Sequence, residues 1–464
     1  MVSYPQRNTC EIRIVREAFM NRRELPVGIQ DFRKIRQNNM MYVDKTPYVW
    51  TLAQTSCPYF LSRPRRFGKS LFTSTLECYF KGEKALFKGL YIYDKENERG
   101  DKAWTEYPVI SFYLSSGRYK SPDGLELTLD ETLSEFEDRY GIKQGKYDLP
   151  NRFKRAIKGA YDQTNRGVVV LVDEYDKPLL ETMYDNPEQE ERNRDLYKAF
   201  FSALKDVDGY LRFVFFTGIT KFTKVSIFSD LNQLTDISLA NDFAGICGIT
   251  QDELVDNFQP EIRALADEQE ISYDECLNEL QRRYDGYHFS KRSVGVYNPY
   301  SLLKAFSFRD FGRYWFGSGT PEILIKKLQD SDLPLSRISE GVDATEDEIE
   351  DYTPENDNPI PLFYQTGYLT ICGYDREFEL YSLKFPNDEV RYGFLNSLVP
   401  YVLGSRNAEN PTSLRYMFMD LKKGKPDSFI TRLTALFGGI AYPEGAQPEY
   451  EGEWSRQLYL VMKL

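Results

Sequence analysis

The run Pro58-Tyr-Phe-Leu-Ser-Arg-Pro-Arg-Arg-Phe-Gly-Lys-Ser-Leu71 constrains this chain more than any other segment. A short apolar strand enters a tight loop and leaves through Gly68-Lys69-Ser70 into a pattern of helical period. In that order the N–H groups of Arg65, Arg66, Phe67, Gly68, Lys69, Ser70 and Leu71 can converge on one point, where the helix dipole favours an anion. Such a loop suits a nucleoside triphosphate, with Lys69 reaching the β- and γ-phosphates and the Ser70 hydroxyl on Mg²⁺. The full phosphate-loop pattern has a glycine at the position of Arg63, which here precedes Pro64. Arginine takes a positive φ at greater cost than glycine. The loop is therefore expected to bend differently or to bind less tightly. A Gly-Lys-Ser triplet also occurs by chance, as a β-to-α turn with a snorkelling lysine, so a second element is needed beside it.

That element is Gly167-Val-Val-Val-Leu-Val-Asp173-Glu174. The apolar run reads as a strand buried on both faces, as in parallel sheets. Acids at its C-terminal end lie at the ligand-binding edge of an open α/β sheet. Asp173 is expected to hold Mg²⁺ through water, and Glu174 to orient or deprotonate the attacking water. The plainer alternative is a core strand with a solvent-facing acidic end. Leu211-Arg-Phe-Val-Phe-Phe-Thr217-Gly218 reads as the next strand. Thr217 at its end is either a sensor of the γ-phosphate or an ordinary strand-terminal threonine.

Composition narrows the remaining classes. A chain of 464 residues calls for about two to four domains. A net charge of −12 argues against a general footprint for nucleic acid, though a local basic patch is compatible with it. No apolar run approaches the roughly 18 residues of a membrane span, and residues 1–25 lack an apolar signal core. The cysteines at 10, 57, 78, 247, 276 and 372 form no C-x-x-C pair. They read as reduced thiols of a cytoplasmic protein. His288, the single histidine, sits in Tyr284-Asp-Gly-Tyr-His-Phe289 and reads as a packed structural residue.

Strands alternate with helical stretches from residue 58 to 218, which argues an α/β fold with a parallel sheet. A helix is expected from Lys69 to Lys81, a strand from Tyr107 to Leu114, and helical segments within 121–165 and from Arg192 to Lys205. Past residue 245 the texture turns helical. Thr250-Gln-Asp-Glu253 is a capping box, Tyr273 to Tyr284 is helical, and Asn298-Pro299 opens a further helix. This region, 246–330, is expected as a lid. Residues 331–360, rich in Asp, Glu, Pro and Asn, read as an acidic linker, and 361–404 as a winged-helix-like hairpin module. In that module Lys384, Arg391 and Arg376 could touch DNA, with domain packing as the simpler reading.

Several phrases together resemble the predicted AAA-ATPase-like family of bacterial proteins. They are Leu25-Pro-Val-Gly-Ile-Gln-Asp-Phe32, Tyr42-Val-Asp-Lys-Thr46, Arg63-Pro-Arg-Arg-Phe-Gly-Lys-Ser70, Val172-Asp-Glu-Tyr-Asp-Lys-Pro178 and Phe216-Thr-Gly-Ile-Thr-Lys221. Tyr284-Asp-Gly-Tyr-His-Phe289 and Tyr297-Asn-Pro-Tyr-Ser301 join them. The resemblance spans about residues 25–400. It implies a P-loop NTPase of the additional-strand class at 25–245, ATP and Mg²⁺ as cofactors, and Arg63 as a family trait. Arg65 and Arg66 could then pair with phosphate. A non-enzymatic scaffold or DNA-interacting module with a vestigial loop is the alternative.

Family members commonly carry a C-terminal domain resembling the PD-(D/E)XK nucleases, which needs acids and a lysine on strands around one cleft. Here Asp388, Glu389, Glu409, Asp420 and Asp427 are scattered, and Asp420-Leu-Lys422 reads as helical surface. Residues 405–464 are thus expected to be the start of a truncated nuclease-like domain without cleavage activity. The apolar residues Leu458, Leu460, Val461 and Leu464 would then seek self-association or a partner chain that completes the domain. Residues 1–24 are expected as an extension, with Met20 as an alternative start.

Overall fold

The structure is a computed structural model that describes residues 24–438, apart from 184–185, 222–233, 293, 317–321, 330, 332, 334, 351–357, 404–415, 418 and 421. The expectations for Ile12, Ile14 and Val15, and for the Trp454–Leu464 segment, lie outside the described residues.

Two short helices, α1 (Phe32–Gln37) and α2 (Thr46–Ala53), precede β1 (Pro58–Ser62), and the loop after β1 opens α3 (Lys69–Phe80). Then come α4 (Tyr91–Asn97), β2 (Val109–Tyr113), α5 (Gly124–Arg139), α6 (Leu149–Thr164) and β3 (Val168–Asp173). After β3 the chain forms α7 (Lys177–Leu180), α8 (Pro187–Ser202), β4 (Leu211–Gly218) and β5 (Thr235–Asp236). Local chemistry sets several boundaries. Asp148 caps α6 by accepting from Asn151 N with a proline in the first turn, and Asn165, in the left-handed region, ends it. Asn186 and Pro187 open α8 in the same way, ahead of the expected Arg192.

The five strands are parallel, in the order β2-β3-β4-β1-β5. β4 lies between the strand that leads into the Gly-Lys-Ser loop and the strand that ends in Asp173. That is the additional-strand arrangement. All of β3 is buried, as a strand covered on both faces requires. Each of its apolar side chains contributes roughly 1.5–3 kcal/mol on burial. The register sets Leu61 beside Thr217 and Tyr113 beside Asp173, so the strand ends form one edge.

A second, helical region follows: β6 (Ile249–Thr250), α9 (Gln251–Glu268), α10 (Tyr273–Tyr284), β7 (Val296–Tyr297) and α11 (Pro299–Phe308). The expected capping box of Thr250 with Glu253 is formed, a second one of Ser272 with Glu275 opens α10, and Asn298 caps α11. Leu254, Phe258, Ile262, Leu280 and Leu302 make a core of their own, joined by Met41 from the N-terminal segment.

The last region holds α12 (Glu322–Gln329), α13 (Leu335–Glu340), β8 (Val342–Ala344), α14 (Glu346–Glu350), α15 (Ile360–Gln365), β9 (Thr370–Asp375) and β10 (Leu380–Lys384). α16 (Asp388–Leu403) and α17 (Pro426–Gly438) follow. β8, β10 and β9 form an antiparallel sheet in that order. This antiparallel sheet therefore draws on 331–360, where an acidic linker was expected. Glu346, Asp347 and Glu348 account for part of that acidity: they occupy the first turn of α14, where the helix dipole favours carboxylates. α15 is buried along its whole length. The main core runs without a break from β1, β3 and β4 into this module through Phe289, Trp315, Phe363 and Tyr381.

Candidate nucleotide-binding site

The loop between β1 and α3 is shaped by two residues in the left-handed region, Arg66 at φ 68° and Gly68 at φ 98°. Arg63 is not among the positive-φ residues, so the loop bends differently from the full glycine pattern. An added Cβ on Gly68 would meet nothing within 4 Å, so glycine is needed there for its backbone and not for space. Arg63 is instead a buried strut. Its guanidinium donates to Ser62 O and Ser238 O, both at 2.8 Å, and to Phe243 O at 3.0 Å. Burial in this carbonyl cage pulls its pKa below the ordinary arginine value.

Among the described residues, no acceptor takes the backbone N–H groups from Arg65 to Leu71. Gly68 has no side chain with which to cap α3, and the first-turn N–H groups have no partner within the helix. The result is a run of main-chain donors at a helix N-terminus, the form of an anion nest. Lys69 is 5% exposed and its Nζ donates to Arg63 O at 2.9 Å and Pro64 O at 3.2 Å, folded over the loop. Ser70 and Leu71 are half-buried, and Phe67 is buried. Arg65 and Arg66 lie over the rings of Trp315 and Tyr300, at 5.9 and 4.9 Å.

The acidic end of β3 faces this loop. Thr217 Oγ1 donates to Asp173 Oδ1 at 2.5 Å, so the threonine hydroxyl holds the carboxylate of the neighbouring strand. Asp173 is 2% exposed. Glu174 takes φ 57°, a left-handed turn that costs a non-glycine residue about 1 kcal/mol. Burial and the Asp173 charge raise the Glu174 pKa, while Lys69 opposes the shift. The turn is closed by Asp176, fully enclosed, which accepts from Ile219 N at 2.8 Å, Thr220 N at 2.7 Å and Thr220 Oγ1 at 2.8 Å. Tyr175 N donates to Thr217 O at 3.0 Å and completes the clasp between β3 and β4.

Beside Gly68 and Leu71 lies an apolar cavity of about 90 Å³, lined also by Tyr42, Val43, Cys247 and Leu303. Its back is closed by Lys45, whose Nζ donates to Gly245 O at 2.7 Å and to both Glu253 carboxylate oxygens, at 2.6 and 2.7 Å. That ion pair ties the N-terminal segment to α9.

A family described as "Predicted AAA-ATPase" matches residues 26–228. A protein of Azotobacter chroococcum mcd 1, described as an uncharacterized protein in the vnfD 5′ region, is 34% identical over 448 residues. The alignment covers 95% of this chain and 83% of that protein. The chain belongs to the predicted AAA-ATPase-like family.

The family match contains both the loop and the acidic end, but not the residues 246–249 that line the cavity. Other candidates are dispersed. Arg376 lies in the turn between β9 and β10, Lys384 ends β10 opposite Thr370, and Arg391 is on α16. The helix just ahead of that hairpin, α15, is buried. Asp420 pairs with Arg432 at 2.8 Å, and Asp388 with Arg282. Glu389 accepts from Trp315 N at 2.7 Å, and Glu409 lies outside the described residues. The His288 main chain exchanges hydrogen bonds with Thr370 Oγ1. Among the described residues, no helix is long and apolar enough to cross a membrane. Sequence reasoning assigned no role to Asp176 or Lys45, although both stand inside quoted family phrases. The signal was there, and their partners were not.

Proposed function

We propose that this protein is a Mg²⁺-dependent ATP-binding protein that hydrolyses ATP slowly. The observation that carries the reading is the unpaired run of N–H groups from Arg65 to Leu71, with Lys69 beside it and Asp173 and Glu174 across from it. The main-chain donors and Lys69 hold the phosphates, with Lys69 exchanging its loop carbonyls for β- and γ-oxygens. Ser70 and Asp173 are the residues that would hold Mg²⁺, the latter through water. The ion would neutralise charge on the transferred phosphoryl group. Thr217 keeps Asp173 in place. Glu174 orients a water and accepts its proton as the water oxygen attacks the γ-phosphorus and the bond to the β–γ bridging oxygen breaks. Its raised pKa makes it a stronger proton acceptor than an ordinary glutamate. The apolar cavity beside Gly68 and Leu71 receives the base. Adenine is favoured on the family's description.

The test is ATP binding and phosphate release for wild type, Lys69→Ala and Glu174→Gln. Lys69→Ala is expected to lose binding, and Glu174→Gln to bind without turnover. Equal and negligible signals from all three would leave the loop vestigial and the scaffold alternative standing. The DNA-binding alternative gains nothing from dispersed basic residues beside a buried helix.

A further inference from the structure

The side chains of the phosphate loop are engaged by a part of the chain far from it in sequence. Arg63 lies over the Phe289 ring at 4.2 Å. Phe67 meets Tyr287 and Phe289 edge-on, with centroids 4.7 and 5.5 Å apart. Pro64 rests on Gly367, where an added Cβ would come within 2.7 Å of the proline ring, so only glycine allows this approach. Arg65 and Arg66 lie over Trp315 and Tyr300. The main chain is held from the same side: Trp315 Nε1 donates to Arg65 O at 3.1 Å.

Trp315 is itself placed by a buried group. Glu389, near the start of α16 and 4% exposed, accepts the N–H groups of Tyr314 and Trp315 and the Ser301 hydroxyl. A chain of contacts thus runs from Glu389 through Trp315 to the carbonyl of a loop residue. On the other side of that residue, Arg66 adopts a left-handed conformation that its own sequence disfavours.

Resting on the nucleotide reading above, we propose that Trp315, Phe289 and Glu389 are positioning residues of the phosphate loop. The region after residue 285 gives the loop its shape, in place of the glycine for which Arg63 stands. Loop and module are then one unit: whatever reorganises the loop on binding nucleotide also moves Trp315, and whatever displaces Trp315 weakens binding.

The experiment uses the full chain. Trp315→Phe keeps a ring under Arg65 and in the core but removes the N–H to Arg65 O. Phe289→Leu removes the ring from Arg63 and Phe67. Phe378→Ser, at an exposed site between β9 and β10, is the control. Two quantities are measured: tryptic cleavage after Arg65 or Arg66 in nucleotide-free protein, relative to cleavage at exposed Lys143, and calorimetric affinity for Mg-ATP. In Trp315→Phe and Phe289→Leu the loop-to-Lys143 cleavage ratio is expected to rise several-fold. ATP affinity is expected to fall roughly tenfold in Trp315→Phe, the loss of about one buried hydrogen bond, and to fall also in Phe289→Leu. KM is expected to move more than kcat, and the control to move neither quantity. A general loss of stability would also open buried Arg152 on α6, so a rise in the ratio accompanied by cleavage after Arg152 overturns the proposal, whereas a loosened loop leaves Arg152 resistant. An unchanged ratio in both variants overturns the proposal. If wild type binds no ATP while the ratio still responds, the nucleotide reading falls and the positioning role stands.

Discussion

The two halves of the site are held in opposite ways. The acidic end of β3 is fastened by its own sheet, through Thr217 on Asp173 and Ile219 and Thr220 on Asp176, all from the strand beside it and the residues that follow. The phosphate loop is held by Tyr287, Phe289, Trp315 and Gly367, which lie outside the sheet altogether. The difference follows from what each half must do. On the function proposed above, the acidic groups need fixed positions, which neighbouring strands supply cheaply through register. A loop that keeps its N–H groups free for a ligand cannot use them to hold itself. Its shape must come from side chains packed on its outer surface.

This contrast can be broken most forcefully at Phe67. It is 1% exposed and enclosed by the rings of Tyr287 and Phe289, so Phe67→Ala should cost about 3–5 kcal/mol in urea unfolding. A loss below about 1 kcal/mol would mean that the region after residue 285 merely lies against the loop. Next comes Asp176, where the opposite half is tested. Asp176→Ala leaves three donors without their acceptor and should cost about 3 kcal/mol, whereas Asp176→Asn keeps an acceptor oxygen and should cost about 1 kcal/mol or less.

The same residue sharpens the comparison through pH. Burial, opposed by the Thr220 and Ile219 hydrogen bonds, raises the Asp176 pKa above its unfolded value. The folded state therefore holds this proton more tightly. The contribution is fully present below the unfolded value, about 4, and is lost as pH rises through the folded value, by at most roughly 1.4 kcal/mol per pH unit. Subtracting the pH profile of Asp176→Asn from that of wild type should leave this decline, and a flat difference would contradict it. The smallest effect is expected at Arg66. Its guanidinium over Tyr300 is exposed, so Arg66→Ala should change stability by at most about 0.5 kcal/mol. A larger loss would mean that the loop is held by its arginines as much as by Phe67.

Much of the architecture was legible because its signals are local. The apolar run at Val168–Val172, the capping box at Thr250 and the Asn298-Pro299 start each state their structure within a few residues. The acidic stretch 331–360 misled for a related reason: composition alone does not separate a charged helix face from a linker. Within the site, the strand–loop–helix order and the acids after Val172 could be read from the chain, since a P-loop is a short, contiguous device. The tertiary structure alone decided what surrounds them. Lys45 meets Glu253, Trp315 meets Arg65 O, and Lys221 pairs with Asp236 at 2.9 Å and with Glu350 at 2.5 Å. No periodicity or spacing encodes such pairs, because they are set by how separately formed elements pack. The same holds for Arg63: the sequence shows an arginine where a glycine is usual, and only the fold provides the carbonyls and the aromatic ring that make it a strut.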